Sequence, residues 1–330
     1  MSIPSLVGGI SLRDYDFAAS VAYACAFGLL PTIFLWRLWW DKRWWTLILI
    51  QPFVFAIERQ VVFTLRSGVA WKQNESSGLS KLMQVSFALG YIDTSDTVLK
   101  LIRTILVNTT IGTPVSDSER AQPPSTINVD EPRRRFWYRR WSDFLETLYL
   151  VALVAAIIAT AHQNPTNEET GQNHAHQIER YLSSAVGLVF ILLEIFTLLW
   201  ASKTLPRIDQ RAVRLLLVLT TLLTIPPIYR LVVMRHTTPD VHALGHEAQN
   251  TGADKAAFYV VHLLPEWIVI FLMCIFNVRE ICQTGFKGDT RWWDETPKER
   301  EKRERKEREK ARKKAEKKNR STIELELIRN

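Results

Sequence analysis

Seven stretches of mostly apolar residues, separated by polar connections, divide the first 286 residues of the chain. Each stretch approaches the ~20 residues with which a helix crosses about 30 Å of hydrocarbon. The predicted spans cover residues 17–40, 44–66, 82–107, 142–162, 181–202, 213–234 and 256–278. The pattern predicts an all-α polytopic membrane protein, with a seven-transmembrane-helix bundle in residues 1–286 and a charged, basic tail in residues 287–330.

The third span is the weakest of the seven, because it carries Asp93, Asp96 and Lys100. These residues are spaced i, i+3, i+7, so they share one face of a helix. The opposite face is apolar and includes Leu89, Ile92, Leu99, Ile102 and Leu106. A helix with one charged and one apolar face is expected inside a bundle.

Basic residues are distributed unequally between the two sets of connections, and this difference predicts the orientation. One set is rich in Lys and Arg even without the tail: Lys42, Arg43, Arg120, Arg133, Arg134, Arg135, Arg139, Arg140, Lys203, Arg207, Arg211 and Arg214. The other set contains Arg13, Lys72, Lys81, Arg180, Arg235 and Lys255. We therefore expect the N-terminus outside and the C-terminus in the cytosol, in the plasma membrane or an endomembrane.

Composition alone conceals this organisation. The mean hydropathy of −0.04 resembles that of a soluble protein, because the polar tail offsets the apolar body. The N-terminus lacks a basic region followed by an apolar core, so the first span is expected to act as the insertion signal. Cys25 and Cys274 lie inside spans and Cys282 lies just beyond one. No disulfide between outer loops is therefore expected, and Cys282 is either a lipidation site or a free thiol.

Two polar segments are expected in the cytosol. The loop 108–141 is rich in Ser, Thr and Pro and ends in a basic cluster, which is typical of a flexible segment that meets anionic lipid. The tail has mixed charge and no apolar stripe, so it is either a solvated helix or disordered arm, or an arm that binds lipid headgroups or a protein. The expected partners are membrane lipids, a small lipidic ligand and a cytosolic partner of this loop or of the tail; no nucleic acid is expected.

Several charged side chains fall inside the apolar spans, where an unpaired charge is costly. His262 and Glu266 are four residues apart on one face of the last span, and Glu266 lies roughly 15 Å from its start. Pro265 frees a backbone carbonyl and introduces a kink. The candidates for a ligand cavity or relay are Glu58, Arg59, Tyr229, Arg230, His262 and Glu266 in the outer half, with Asp93, Asp96 and Glu194 midway or deeper.

Glu266 needs a cationic partner at similar depth. Arg230 is the expected partner, because its guanidinium group can hold a carboxylate with two hydrogen bonds. Two interpretations of these residues remain open. They form a functional cavity or relay, or they join the helices to one another without touching a ligand.

Most histidines fall in two predicted outer loops. His174 and His176, and His242 and His246, have spacings compatible with a shared metal ion, so they are weak metal candidates. A pH sensor is a second interpretation, and polar loops without a special role are the preferred one. We predict no metal or cofactor. Because the chain contains no nucleotide-binding loop, zinc-protease helix or nucleophile elbow, we do not expect an enzyme.

The last two predicted spans are similar in sequence to known membrane proteins. The segments "IPPIYRLVVM" and "FYVVHLLPEWIVIFLMCIFNVRE" resemble fungal seven-helix membrane proteins of the lipid-translocating-exporter type and of the family-C-like G-protein-coupled-receptor type. Both groups pair a Tyr-Arg in the sixth helix with a Leu-Pro in the seventh, which Tyr229, Arg230 and Pro265 match, with Glu266 following. The exporter pattern usually has an acidic residue soon after the Tyr-Arg, where this chain has "LVVM".

The resemblance and the topology together imply one of two functions. The first is a receptor-like protein that senses a small or lipidic ligand from the outer side. The second is a lipid-translocating exporter or another lipid-handling transporter. The missing acidic residue counts against transport, so the receptor-like function is preferred.

Overall fold

The structure is a computed structural model, and it is mostly helical. It describes residues 3–40, 44, 46–73, 76–111, 131–161, 170–238, 243–284 and nine residues between 301 and 312. The long helices are α1 (Arg13–Trp40), α2 (Ile50–Lys72), α3 (Ser77–Asn108), α4 (Pro132–Ala161) and α5 (Thr170–Thr204). They are followed by α6 (Gln210–Leu223), α7 (Ile225–Val233), α8 (Gly252–Ala257), a π-helix (Phe258–Leu263), α9 (Leu264–Ile275) and α10 (Val278–Ile281).

Within the described ranges, six helical segments are long and apolar enough to cross a membrane: Arg13–Arg37, Leu47–Lys72, Pro132–Ala159, Gln177–Thr204, Gln210–Val233 and His246–Ile275. They coincide with six of the seven predicted spans and confirm a helical protein with the character of an integral membrane protein. Large apolar side chains project outwards from these helices, among them Leu29, Val54 and Phe196, which are 60%, 56% and 64% exposed. Such outward apolar faces suit lipid rather than water.

The helix α3 corresponds to the weak third span and is not among these six. Its first turn is capped by the Ser76 side chain, which accepts a hydrogen bond from the Leu79 N–H. The helix contacts α2, α5, α6 and α9. Its apolar face is buried at Ile92, Leu99 and Ile102, which confirms that α3 lies inside the bundle.

Prolines interrupt the last two spans, as the sequence predicts. The sixth span is broken at Thr224, so that α7 begins as a new helix with Pro226 and Pro227 in its first turn. In the last span the chain leaves α-helical geometry over Phe258–Leu263 and returns to it at Leu264, directly before Pro265. A proline cannot donate the backbone hydrogen bond of an α-helix, which accounts for both interruptions.

The segment before α1 is folded against the helices, which the hydrophobic pattern did not predict. Strand β1 (Ile3–Pro4) pairs antiparallel with β2 (Thr237–Thr238). Gly8 and Gly9 then turn the chain with φ values of 77° and 57°, which favour glycine. The Val7 backbone exchanges two hydrogen bonds with the Gln84 side chain of α3. We call Ile3–Leu12 the N-terminal segment, and the end of the bundle that it covers the N-terminal end.

A second compact unit combines residues 110–137 with residues 290–330. Within it, Arg135 Nε donates to Thr110 Oγ1 at 3.1 Å, and the Glu131 N–H donates to the Thr110 carbonyl oxygen at 3.0 Å. The described tail residues between 301 and 312 are helical, and Glu304 and Arg308 approach to 3.9 Å at i, i+4 spacing. Residues 287–300 and 313–330 of the predicted tail, and 112–130 of the predicted loop, lie outside the described residues.

Candidate functional site

A buried ion cluster closes the N-terminal end of the bundle. Asp16 of α1 accepts a hydrogen bond at 2.8 Å from Arg66 Nη2 of α2, and its other oxygen lies 2.9 Å from Lys255 Nζ of α8. The Tyr259 hydroxyl donates to the same carboxylate at 2.9 Å. The charged side chains of Asp16, Arg66 and Lys255 are at most 1% exposed. Two cations therefore share one carboxylate away from water.

The N-terminal segment supplies the remaining acceptors of this cluster. Its Gly8 carbonyl oxygen accepts from Arg66 Nη2 at 2.8 Å and from Lys255 Nζ at 2.7 Å, and the Ile10 carbonyl oxygen also accepts from Lys255. Backbone carbonyl dipoles thus offset the second positive charge. The glycine turn permits this approach, because a Cβ at Gly8 would lie 2.8 Å from the Phe258 ring.

A second buried ion pair lies deeper, between α2 and α9. Arg59 Nη2 and Glu266 Oε2 are 2.9 Å apart, and both side chains are fully buried. Arg59 also donates to the Ser86 hydroxyl, which in turn donates to Glu58. The expectation that Arg230 holds Glu266 is therefore wrong: the partner is Arg59. The i, i+7 spacing of Arg59 and Arg66 turns both guanidinium groups inwards from one face of α2.

Gly90 of α3 makes room for this pair. A Cβ at this position would lie 1.7 Å from Arg59 Nη2 and 2.7 Å from Glu266 Oε2. Any side chain on Gly90 would therefore displace the pair. The close approach of α3 to the Arg59–Glu266 pair depends on this glycine.

His262 and Tyr229 extend the same cluster. His262 Nδ1 lies 3.7 Å from Glu266 Oε1, and the His262 ring meets the Tyr229 ring edge-on at a centroid distance of 5.8 Å. Both ring nitrogens of His262 and Oε1 of Glu266 are buried without a hydrogen-bond partner. The predicted grouping of Glu58, Arg59, Tyr229, Arg230, His262 and Glu266 at one depth agrees with these contacts, although their role in ligand binding stays a prediction.

Arg230 faces α5 instead of making an ion pair with Glu266. Its Nε donates to the Ser184 hydroxyl at 3.3 Å. Arg180 of the same helix α5 reaches the N-terminal segment, where its Nη2 donates to the Ser5 carbonyl oxygen at 2.9 Å. Both arginines are buried, at 4% and 7% exposure. Glu266 still lies near enough to act electrostatically on Arg230.

The deeper candidates form a separate cluster. Asp93 Oδ1 accepts from Gln51 at 2.6 Å, and Asp96 pairs with Lys100 at 2.6 Å. Glu194 of α5, which is fully buried, accepts from Ser95 at 2.8 Å. The charged face of α3 is therefore turned to polar partners on its neighbours, as its spacing predicts. Whether this second cluster takes part in a relay stays a prediction.

Of the four histidines proposed as weak metal ligands, the structure describes the side chain of His246. His246 Nδ1 and Asp254 Oδ1 are 2.6 Å apart, and the His246 ring packs edge-on against His236 at 4.8 Å. Partial burial and the neighbouring His246 lower the pKa of His236 below its usual value. Among the described residues no group of three or more potential ligands is placed to hold a metal ion. The side chains of the other weak candidates, His174, His176 and His242, lie outside the described part of the chain.

The three cysteines are free thiols. Cys282, which follows α10, is 1% exposed. Its burial, and the charge of Asp209, raise the pKa of the thiol to about 12. A buried, protonated thiol is a poor nucleophile, so this geometry favours the free thiol over a lipidation site.

Sequence reasoning missed Asp16, Arg66 and Lys255, which it placed at the edges of spans or in an outer loop. One signal could have found two of them. Arg66 repeats the face of Arg59, and Lys255 precedes Tyr259, His262 and Glu266 at helical spacings of four, three and four residues. The contribution of the N-terminal segment had no such periodic signal.

Comparisons of the chain with protein-family models, with curated proteins and with solved structures found no match. The class that the fold defines is therefore a coarse one. The chain is mostly helical, and its described residues include six segments with the length and apolar character of membrane spans. They also hold three groups of buried polar side chains, around Asp16, around Arg59 and Glu266, and around Asp93 and Glu194.

Proposed function

We propose that the chain is a seven-helix integral membrane protein in which α3 is the remaining membrane-crossing helix, with the N-terminus outside and the C-terminus in the cytosol. The length of α3 supports this assignment, since its 32 residues span about 48 Å at 1.5 Å per residue. The two carboxylates of its charged face have polar partners, since Asp93 accepts from Gln51 of α2 and Asp96 pairs with Lys100 within α3. The orientation rests on the excess of Lys and Arg in the connections assigned to the cytosol.

Topology is tested with protease-sensitive tags on the full chain in intact cells. A tag at residue 1 is expected to be cleaved from outside, and a tag at residue 330 only after the cells are permeabilised. Two tags on the same side would overturn the seven-helix assignment. The revised topology would then be one in which α3 does not cross the membrane.

We further propose that the protein is a receptor-like sensor of a small or lipidic ligand that arrives from the outer side. One observation carries this proposal: buried cations at the N-terminal end, Arg66, Lys255 and Arg180, are held by backbone carbonyl oxygens of the N-terminal segment. Carbonyl oxygens are neutral acceptors, so a ligand with more strongly accepting groups would compete with this segment.

The last span provides an element that could respond to such a ligand. The π-helix Phe258–Leu263 contains Tyr259, which binds the Asp16 cluster, and His262, which lies beside Glu266. Single π-helical turns inside α-helices are frequent at functional sites. A shift of this segment would move α9 and α10, and with them the end of the bundle at Cys282. A cytosolic partner of the loop 108–141 or of the tail would then read the change.

The alternative is a lipid-handling transporter, which a different observation favours. The Asp93–Asp96–Lys100 and Glu194 cluster lies at another depth from the Arg59–Glu266 pair. Polar groups at successive depths are what a lipid headgroup would need to cross the hydrocarbon.

Reconstituted full-length protein separates the two functions. Liposomes with a fluorescent phospholipid are treated with an impermeant quencher: a transporter increases the quenched fraction, and Glu194→Gln is expected to reduce that increase. A sensor leaves the quenched fraction unchanged. Instead, lipids with an anionic head group, such as fatty acids, added from the outer side are expected to change the labelling rate of Cys282. Protein-dependent quenching would refute the sensor proposal in favour of the transporter. A labelling rate of Cys282 that no lipid changes would also refute the sensor proposal.

A further inference from the structure

A small cavity lies beside the candidate site, between α3, α4, α5 and α7. Its volume is about 10 Å³, and Arg180, Ser183 and Arg230 contribute to its walls together with Gln84 and three alanines. A space of this size holds one water molecule or one small ion. Two of its wall residues, Arg180 and Arg230, carry a full positive charge.

Both arginines have unused donors. Arg180 donates through Nη2 to the Ser5 carbonyl oxygen, and Arg230 donates through Nε to Ser184. The Nη1 group of each is buried and has no hydrogen-bond partner. Buried charged donors are almost always satisfied in folded proteins.

The other polar groups of the cavity do not accept from these donors. The Ser183 hydroxyl donates to the Ala152 carbonyl oxygen, and the Gln84 side-chain oxygen accepts from the Val7 N–H. Two donors on neighbouring cations therefore lack an acceptor.

The positive charge is also uncompensated. Among the described residues no carboxylate forms an ion pair with Arg180 or Arg230, and the two guanidinium groups repel each other. Glu266, the carboxylate that acts on Arg230, is bound to Arg59. Two like charges buried side by side are stabilised by an anion between them.

We propose that this cavity binds a small anion between Arg180 and Arg230. The bound group would carry one negative charge and accept hydrogen bonds from two N–H donors. A free halide ion and the carboxylate of an amphiphile both meet this requirement. The proposal does not depend on whether the protein is a sensor or a transporter, because it concerns binding alone.

The test uses the purified full chain in detergent, transferred to chloride-free buffer in which gluconate maintains ionic strength. The hydrated polyhydroxy chain of gluconate keeps it in water, whereas the apolar chain of an amphiphile can follow its carboxylate to the cavity from the detergent phase. Replacing gluconate by chloride is expected to raise the thermal unfolding midpoint saturably, as a ligand that binds only the folded state does. In a second arm, decanoate is compared with decanol. A response to chloride identifies a free anion, and a response to decanoate but not to chloride or decanol identifies the carboxylate of an amphiphile.

Three variants test whether the anion response arises from binding in the cavity. Arg230→Gln is expected to raise the midpoint in gluconate, because it removes the repulsion, and to abolish the anion response. Arg211→Gln removes an exposed arginine elsewhere in the chain, and this variant is expected to retain the anion response. Ala159→Val narrows the cavity without touching either arginine and is expected to weaken the response. A wild-type midpoint that ignores both anions, or a response that survives in Arg230→Gln, would overturn the proposal.

Discussion

Replacing Glu266 by glutamine tests the central contact of the candidate site. The substitution keeps the shape of the side chain and removes its charge, so Arg59 loses its buried carboxylate and keeps only the partly exposed Glu58, 3.9 Å away. The cost follows from the geometry, because the two groups are 2.9 Å apart and both are fully buried. Removing one partner of a buried pair typically costs about 3–5 kcal/mol.

The expected loss lies near the lower end of this range. Arg59 keeps its hydrogen bond to Ser86, and its guanidinium group lies 4.6 Å from the centre of the Phe55 ring, so part of its charge remains stabilised. We expect a loss of about 3 kcal/mol in the free energy of unfolding. At roughly 2–4 °C per kcal/mol, this corresponds to a midpoint about 6–12 °C lower.

The assay is thermal unfolding of the purified full chain in detergent, followed by size-exclusion chromatography of the fraction that remains folded. The double variant Arg59→Gln/Glu266→Gln is expected to recover most of the loss, since neither charge then remains. Arg230→Gln in the Glu266→Gln background is expected to recover less, because Arg230 does not pair with Glu266. Glu247→Gln, at an exposed carboxylate, serves as the control. Additive losses for Arg59 and Glu266, or a larger recovery with Arg230, would refute the assigned pair.

Three further predictions concern other parts of the molecule. Gly90→Ala is expected to destabilise the protein because its Cβ would strike Arg59, whereas Gly68→Ala, where no atom lies within 4 Å, is expected to be neutral or stabilising; equal midpoints would contradict this. Because the pKa of His236 is lowered in the folded state, the unfolding midpoint of the wild-type protein is expected to fall as the pH drops below about 6.5. In His236→Asn the unfolding midpoint is expected to depend less on pH in this range. Since the pKa of Cys282 is raised to about 12, maleimide is expected to label it far more slowly in the folded than in the unfolded Cys25→Ser/Cys274→Ser protein; comparable rates would mean that the thiol is accessible.

The sequence was sufficient to predict the positions of the helices. Apolar length determines a membrane span, because a helix must satisfy its backbone internally across the hydrocarbon. The interruptions were equally readable, since Pro226 and Pro265 each lack a backbone donor. The N-terminal segment was not predicted, because its structure depends on Gly8 and Gly9 and on side chains distant in sequence, such as Gln84.

The candidate site was predicted as a set of residues but not as a set of contacts. Counting 1.5 Å per residue put Arg59, Arg230 and Glu266 at similar depths, and the contact between Arg59 and Glu266 is compatible with that estimate. Depth does not specify which helix faces which. The choice of Arg59 over Arg230 depends on the rotation of α2 and on the close approach that Gly90 allows, and neither quantity appears in a hydrophobic pattern.

The distribution of buried charge links these findings. Towards the N-terminal end, the bundle buries five cations, Arg59, Arg66, Arg180, Arg230 and Lys255, against three carboxylates, Asp16, Asp254 and Glu266. Asp16 and Glu266 pair with these cations, and Asp254 pairs with His246. Carbonyl oxygens of the N-terminal segment compensate part of the excess at Arg66, Lys255 and Arg180. The two donors that face the cavity have no such compensation. A bundle that buries more positive than negative charge is most stable with an anionic group bound, so the ligand that this end of the molecule selects is expected to carry negative charge.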